Sequence, residues 1–390
     1  MARPSPPEHD ILQAFVRTAL GEPAAVAPAT LRAADPQRLA GLAGLHGVAR
    51  ALARAIDTAA APELAAALHA AAHGETLYTL IARAELPDLD ARLADAGIPA
   101  VALKGAALHL LGHHDRPVAD IDLLVRHADL AAAGELLEDA GYRRDYPVVR
   151  LDWAEALGPT ADYVRPSAAP VRVELHTLLS LDAGWNAPYV GPQLADGLRR
   201  ATEDVWATAV AAPGRRALRL PAPDVMLFHT LEHMAARHLF FRLRWALDAR
   251  LLAAPEHWPG VARLARQTGA AAPIALAIRL CQAVVALPAP AGLARELWRE
   301  GSAAERLVLG RYGRIVRRDL TRAYDEDWAR LYQAARVPAG RGLPGLRALL
   351  VPPADFVATR HGADRPATPW RARLTRARWM IARAGQLLRA

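Results

Sequence analysis

The sequence contains only one cysteine in 390 residues. A single cysteine, Cys281, excludes a disulfide within the chain and a zinc site built on cysteine thiolates. Free thiols without disulfides are typical of the reducing cytoplasm. The first residues, Met1 to Pro7, are followed by no apolar run, so they do not fit a signal peptide. We therefore expect a cytoplasmic protein.

Long apolar runs and aromatic residues are also scarce. The longest apolar stretch, residues 270–293, is interrupted by Arg279 and several prolines, which predicts a buried helix rather than a membrane span. Aromatic residues make up only 6% of the chain, and no RNA-binding signature with interleaved aromatics occurs. The arginine-rich tail at residues 371–379 fits either an amphipathic helix for membrane or RNA or the solvated face of a helix.

The positive charge is carried almost entirely by arginine. Of the 48 basic residues, only Lys104 is a lysine, and the formal net charge is +8. This charge suits a phosphate-bearing partner but does not choose between a nucleoside triphosphate, RNA and an acidic membrane. A lone lysine indicates a position that needs a compact, flexible ammonium group instead of a planar guanidinium. No Walker loop and no kinase glycine-rich loop surrounds Lys104, which argues against a kinase.

Two carboxylates stand one residue apart in an otherwise apolar run. Asp120 and Asp122 alternate with strand-forming residues up to Val125, so they share one face of a predicted strand. Carboxylates this close repel each other unless a cation neutralises them or one keeps its proton. Hard oxygen ligands of this kind suit Mg²⁺. The alternative is a pair of solvated acids on an edge strand.

A third acid lies on a second alternating strand. In residues 170–177, Val171, Val173 and Leu175 form one face, and Glu174 and His176 lie on the other together with an arginine. If this strand pairs beside the first, Glu174 completes a three-carboxylate site that can hold two metal ions for phosphoryl displacement. The alternative is a strand residue that simply faces solvent.

Two pairs with helical spacing follow in the C-terminal half. His229 and His233 are four residues apart and share a helix face; we interpret them as structural histidines, because no third zinc ligand at metal spacing is evident. Arg244 and Asp248 have the same spacing. One interpretation of this pair is a surface ion pair of little energetic weight.

As an ordered set, the motifs of the central region resemble the uncharacterised nucleotidyltransferase family of the DNA polymerase β superfamily. The motifs that carry the resemblance are Leu103-Lys-Gly105, Arg116, Asp120-Ile-Asp-Leu-Leu-Val125, Gly141-Tyr142 and Val173-Glu-Leu-His176. The flanking segments are similar to the helical regions of that family: Leu45-His-Gly-Val48 at the N-terminal side, and His229, His233 and Arg244-Trp-Ala-Leu-Asp248 at the C-terminal side.

The resemblance implies a nucleotidyltransferase that uses Mg²⁺ (or Mn²⁺) and a nucleoside triphosphate such as ATP. It implies that the catalytic and metal-binding residues are Asp120, Asp122 and Glu174. It also implies a nucleotide-binding set made up of Lys104, Gly105, Arg116, His176, Arg244 and Asp248. As the alternative to a surface ion pair, it favours a helix carrying Arg244 and Asp248 that covers the nucleotide site. One feature departs from the superfamily: many members carry Gly-Ser at the start of the first helix, where this chain has Lys-Gly-Ala. Backbone N–H groups at a helix start and the charge of Lys104 can serve the phosphates instead.

The fold that we expect is α+β and mostly helical, with a small polymerase-β-like α/β core between helical regions. The predicted regions are 1–95 (N-terminal helical), 96–182 (nucleotidyltransferase core) and 183–390 (C-terminal helical). Within the core we predict strands at 98–103, 120–125 and 171–177 and a helix at 128–140 that ends at Gly141. In the N-terminal region we expect Pro87 to break or restart a helix.

The acceptor cannot be read from the motifs, and three functions remain open. The first is transfer of a nucleoside monophosphate to a hydroxyl of a small molecule, peptide or protein. The second is transfer to RNA, as in toxin-like relatives of the superfamily. The third is a nucleotide-binding protein that has lost turnover.

Overall fold

A computed structural model describes most of the chain up to residue 322. The described residues are 6–22, 25–55, 60–113, 116–118, 120–145, 160–167, 170–179, 192–237, 239 and 241–322. The arginine-rich tail at 371–379 lies outside them. The prediction that it forms an amphipathic helix or a solvated helix face therefore stays a prediction.

The described residues are mostly helical. The N-terminal half contains α1 (Pro7–Ala19), α2 (Pro28–Ala33), α3 (Pro36–His46), α4 (Ala49–Ala55), α5 (Pro62–Asp95), α6 (Lys104–Leu110) and α7 (Leu130–Asp139). The C-terminal half contains α8 (Pro192–Thr208), α9 (Pro223–Glu232), α10 (Leu243–Leu252), α11 (Trp258–Gln267), α12 (Ala271–Val285), α13 (Leu293–Glu300) and α14 (Ala303–Arg318). The strands are β1 (Ala100–Ala102), β2 (Asp120–Val125), β3 (Arg143–Arg144), β4 (Thr160–Arg165), β5 (Val171–His176), β6 (Val210–Ala211) and β7 (Leu218–Leu220).

The seven strands of the described chain form one mixed sheet in the order β3-β4-β5-β2-β1-β7-β6. Strand β2 runs parallel to β5 and antiparallel to β1. The predicted α+β class, mostly helical with a small sheet, is confirmed. So is the conditional prediction that the strand of Glu174 lies directly beside the strand of the aspartate pair.

Strand β2 is covered on both of its faces. Ile121, Leu123 and Val125 belong to a buried cluster shared with α5, α6 and α7. Leu124, on the opposite face, packs into the larger cluster formed by the N- and C-terminal helices. Both faces are therefore shielded from water, and Asp122 is completely buried. The alternative of a solvated acid pair on an edge strand is wrong, because β2 is a central strand.

Helix α5 continues through Pro87 without a break, so the expected interruption is wrong. Leu86 and Leu89 on either side of the proline are fully buried against the sheet, and this packing holds the helix together. Pro87 itself lies on the exposed side, where water can replace the hydrogen bond that a proline nitrogen cannot donate.

The sheet also takes strands from beyond the predicted core. Strands β6 and β7 follow residue 182, and β7 pairs with β1 in parallel. The carboxylate of Asp90 on α5 supports this edge by accepting backbone N–H groups of Arg216, Ala217 and Leu218 at 2.9–3.1 Å. The division into regions at residues 95 and 182 stays a prediction.

Most of the apolar stretch at 270–293 forms a buried helix, as predicted. Helix α12 occupies Ala271–Val285, and Cys281 is buried within it. Burial raises the pKa of its thiol, which is the behaviour of a small core residue rather than a reactive one. Among the described residues, no helix combines the length and the apolar character needed to cross a bilayer.

Candidate metal and nucleotide site

Two acids and a histidine meet where β2 and β5 run side by side. The parallel register places Asp122 directly opposite Glu174, so both carboxylates point to the same face of the sheet. One ligand atom each from Asp122, Glu174 and His176 lies within 4.8 Å of the others. Nε2 of His176 is 2.9 Å from Oδ1 of Asp122. Since a carboxylate can only accept, the imidazole donates this hydrogen bond and orients the acid.

Lys104 approaches the same carboxylate from the start of α6. The Leu103 N–H donates to the carbonyl of Asp122 at 2.9 Å, which places the next residue beside that acid. The ammonium Nζ of Lys104 lies 2.5 Å from Oδ1 of Asp122, and the two side chains are 8% and 0% exposed. Oδ1 of Asp122 therefore accepts from both the lysine and His176.

Asp120 lies two residues earlier on β2 and outside the three-residue group of Asp122, Glu174 and His176. Burial raises the pKa of Asp120, but the positive charges of Lys104, Arg244 and Arg116 outweigh that effect and hold the pKa below its usual value. Asp120 is thus an ionised acid that is stabilised by the positive charges of Lys104, Arg244 and Arg116. Its predicted place as a third metal ligand stays a prediction.

Arg116 reaches across to the C-terminal helices. Its Nη2 donates to Oδ2 of Asp248 at 2.8 Å, and its Nε donates to the same oxygen at 3.1 Å. The two side chains are 9% and 6% exposed. A Cβ on Gly105 would lie only 2.0 Å from Nη1 of Arg116, so any other residue at this position would force the guanidinium to shift away from its present place. Asp248 therefore pairs with Arg116 in the interior, and not on the surface with Arg244 as one alternative proposed.

Arg244 lies beside this pair at the beginning of α10 and is only 7% exposed. Within the described part of the chain, its Nε has no hydrogen-bond partner. Burial and the neighbouring charge of Arg116 lower its pKa to about 10. A buried guanidinium with an unused donor is a ready partner for an anion such as a phosphate group.

The N-terminal motif Leu45-His-Gly-Val48 holds the start of α10 in place. Nδ1 of His46 accepts the Leu243 N–H at 3.3 Å, and its Nε2 donates to the Leu320 carbonyl at 3.2 Å. Gly47 ends α3 with φ 66°, and a Cβ there would meet the Arg244 side chain at 3.0 Å. The sequence similarity of this motif to the family gave no hint that it contacts the site arginine.

The stability of the fold should fall in acid because of His46. Burial lowers the pKa of His46 from 6.5 to about 4. The buried neutral imidazole of His46 contributes fully to the free energy of unfolding above pH 6.5. This contribution is lost as the pH falls towards 4, because only the unfolded chain takes up the proton in that range. Between pH 7 and pH 5, the free energy of unfolding should drop by roughly 2 kcal/mol more in the natural protein than in His46→Gln. Urea unfolding of both proteins at the two pH values measures this difference, and equal drops would contradict it.

His229 and His233 are buried at 2% and 7% exposure. Their ring centres are 6.1 Å apart, and His233 stands edge-on to Trp245 at 4.6 Å. Neither belongs to a metal-ligand group among the described residues. His238, the next histidine, lies outside those residues. The chain adopts a π-helical turn at His233–Arg237 directly after α9, an irregularity that often occurs near functional sites.

Sequence reasoning missed Asp162 on β4. This residue lies opposite Glu174 in the antiparallel register, so Asp122, Glu174 and Asp162 form a row across three strands. Nη1 of Arg172 lies 3.5 Å from Oδ2 of Asp162. The alternation of Thr160-Ala-Asp-Tyr-Val-Arg165 was the available signal, because it places Asp162 on the face opposite to its buried neighbours.

Comparison with known families bears directly on this site. A family model described as uncharacterised nucleotidyltransferase matches residues 32–286. That span is more than half of the chain and includes every site residue from Lys104 to Asp248. No curated protein and no solved structure matches the chain.

Proposed function

Because the chain belongs to the uncharacterised nucleotidyltransferase family, we propose that it transfers a nucleoside monophosphate from a nucleoside triphosphate to a hydroxyl group and releases pyrophosphate. The acceptor is a small molecule, a peptide or a protein. The observation that carries the proposal is the register that places Asp122 beside Glu174, within reach of Lys104. The single cysteine supports a cytoplasmic location.

The donor set fits Mg²⁺ or Mn²⁺. Asp122 and Glu174 offer hard carboxylate oxygens on one face of the sheet, and His176 is close enough to orient them. Asp120 is the next acid on the same strand. When bound, the ion polarises the phosphoryl oxygens and neutralises the charge that develops on them.

Three cations of this chain suit the triphosphate. Arg244 has an unused buried donor, Lys104 is a compact point charge, and Arg116 adds positive charge from its pair with Asp248. All three cations lower the pKa of Asp120, so they surround the same acid. These cations can contact the phosphates in place of the serine hydroxyl that the Gly-Ser dipeptide provides in many superfamily members.

Two acids are accessible enough to take the proton of an acceptor hydroxyl. Glu174 is 15% exposed and Asp162 is 25% exposed, whereas Asp122 is fully buried. We assign proton removal to Glu174, which lies beside Asp122, and we assign Asp162 to the acceptor side. The bond that forms joins the acceptor oxygen to the α-phosphorus, and the bond that breaks releases pyrophosphate.

Parallel incubations with α-labelled and γ-labelled ATP test the reaction type. We expect label to reach the acceptor only from the α position, with one pyrophosphate released for each transfer. The acceptor panel should include hydroxyl-bearing metabolites, peptides, proteins and total RNA, since transfer to RNA would identify the RNA-directed alternative. Transfer only from the γ position would overturn the assignment. Tight metal-dependent binding without any transfer would indicate the nucleotide-binding protein that has lost turnover.

A further inference from the structure

The ammonium group of Lys104 occupies one of the two carboxylate oxygens that Asp122 can offer to a metal ion. Nζ of Lys104 and Nε2 of His176 lie 2.5 Å and 2.9 Å from Oδ1 of Asp122. With two donors on that oxygen, a divalent ion can bind through it only by displacing one of them, and an ion bound through Oδ2 would be repelled by the buried ammonium group beside it. The imidazole is completely buried, whereas the lysine is 8% exposed at the end of a flexible side chain. Of the two donors, Lys104 is therefore the one that a bound ion would displace.

The backbone around Lys104 is unusual in a way that points to function. Its φ is 45°, in the left-handed region that residues other than glycine rarely adopt. Such conformations persist where the surrounding structure demands them, and they cluster at ligand sites. Here the residue in this unfavourable conformation is also the only lysine of the chain, so the one ammonium group of the side chains stands where the surrounding structure fixes the backbone.

An alternative partner for the ammonium group would arrive with the nucleotide. The positive charge of Lys104 acts on Asp120 together with Arg244 and Arg116, so the lysine borders the cluster of cations that suits phosphates. Arg116 is committed to Asp248, whereas Arg244 has a donor to spare. Phosphate oxygens bound there would attract Lys104 away from Asp122.

We propose that Lys104 couples metal binding to nucleotide binding: its ammonium group competes with a divalent ion for Asp122, and the triphosphate removes that competition by taking over the lysine. Lys104 is then a positioning residue that makes the ion and the triphosphate bind together. The proposal rests on the proposed function for the identity of its ligands. It concerns binding alone, so it can hold or fail independently of turnover.

Titration of the full-length protein with Mn²⁺, followed by electron paramagnetic resonance of the free ion, tests this coupling. The measurements compare the natural protein with Lys104→Met, with and without a non-hydrolysable ATP analogue. The natural protein should bind Mn²⁺ about 10- to 100-fold more tightly when the analogue is present. Lys104→Met should bind Mn²⁺ tightly without the analogue and gain little from it. Equal affinity of the two proteins for Mn²⁺ alone would overturn the proposal, and so would undetectable binding to both.

Arg244→Met is the matched control for the loss of a positive charge. It removes a cation that also acts on Asp120 but that has no hydrogen bond to Asp122. If general electrostatics were the cause, both variants would gain Mn²⁺ affinity equally, and the proposal would be wrong. Should Lys104→Met fail to fold, Lys104→Gln keeps a donor to Asp122 without the charge. Its melting temperature should rise more steeply with Mn²⁺ than that of the natural protein, and parallel rises would overturn the proposal.

A failure of the proposed function can be distinguished from a failure of the proposed coupling. If Lys104 controls Mn²⁺ affinity as described but no α-labelled product forms, the coupling stands and the reaction assignment fails. If α-labelled product forms while Lys104→Met leaves Mn²⁺ affinity unchanged, the reaction stands and the coupling fails.

Discussion

Replacement of Asp122 by asparagine should lower the rate of nucleotidyl transfer on the order of 10³-fold, since an ion that stabilises the transition state contributes several kcal/mol and each 1.36 kcal/mol is a factor of ten. Asparagine has the size of aspartate and retains an oxygen that can accept from Lys104 and His176, so the fold should persist. Single-turnover rates with α-labelled ATP measure the loss. Calorimetry should show that Mg²⁺-dependent ATP binding is also sharply weakened.

Asp129→Asn is the matched control for this change. Asp129 lies at the start of α7, on the segment that follows β2, and its side chain makes no capping hydrogen bond. We expect its rate and its nucleotide affinity to equal those of the natural protein. An Asp122→Asn protein that keeps its full rate, or that binds ATP equally well with and without EDTA, would show that this acid does not hold an ion.

Replacement of Asp248 by alanine should lower the free energy of unfolding by about 3–5 kcal/mol, because it leaves a buried guanidinium without its counter-ion. Arg116 and Asp248 are 9% and 6% exposed, so water cannot replace the lost carboxylate cheaply. The like charge of Arg244 lies nearby and would add repulsion. Urea unfolding at pH 7 measures the change.

Asp204→Ala provides the comparison. Asp204 pairs with Arg263 on the surface, where the side chains are 43% and 46% exposed, and losing such a pair should cost at most about 1 kcal/mol. In the double variant Arg116→Met/Asp248→Ala, much of the stability should return because the guanidinium that lost its counter-ion is also removed. Equal losses for Asp204→Ala and Asp248→Ala would mean that the interior pair is no more important than a surface pair.

The strands that could be predicted are those with a strong local pattern. The run at 171–176 alternates apolar and polar residues, and the run at 120–125 begins with Asp-Ile-Asp and continues with strand-forming apolar residues; both are strands in the structure. Strands β3, β6 and β7 are two or three residues long. Segments this short form through pairing with a neighbouring strand more than through their own propensity, so their sequences carried no usable signal. The interruption predicted at Pro87 was wrong for a related reason, because tertiary packing keeps α5 continuous through a residue that usually breaks a helix.

The candidate site likewise contains some features that could be predicted from the sequence and others that could not. The acids on β2 and β5 were predictable because spacing within a strand fixes which side chains share a face. The pairing of Arg116 with Asp248 spans 132 residues, and nothing in the spacing of Arg244 and Asp248 suggested it. The contact of Gly47 with Arg244 likewise requires the three-dimensional fold. The place of Asp162 opposite Glu174 depends on strand register, which no single strand reveals.

In the proposed function, Asp122 and Glu174 hold a divalent ion for a nucleoside triphosphate. The most direct test is a crystal structure with Mn²⁺ and a non-hydrolysable ATP analogue, with anomalous data collected at the manganese absorption edge. We expect an anomalous peak at coordination distance from carboxylate oxygens of Asp122 and Glu174, with the triphosphate against Lys104 and Arg244. Bound analogue without a manganese peak between these two carboxylates would contradict the account.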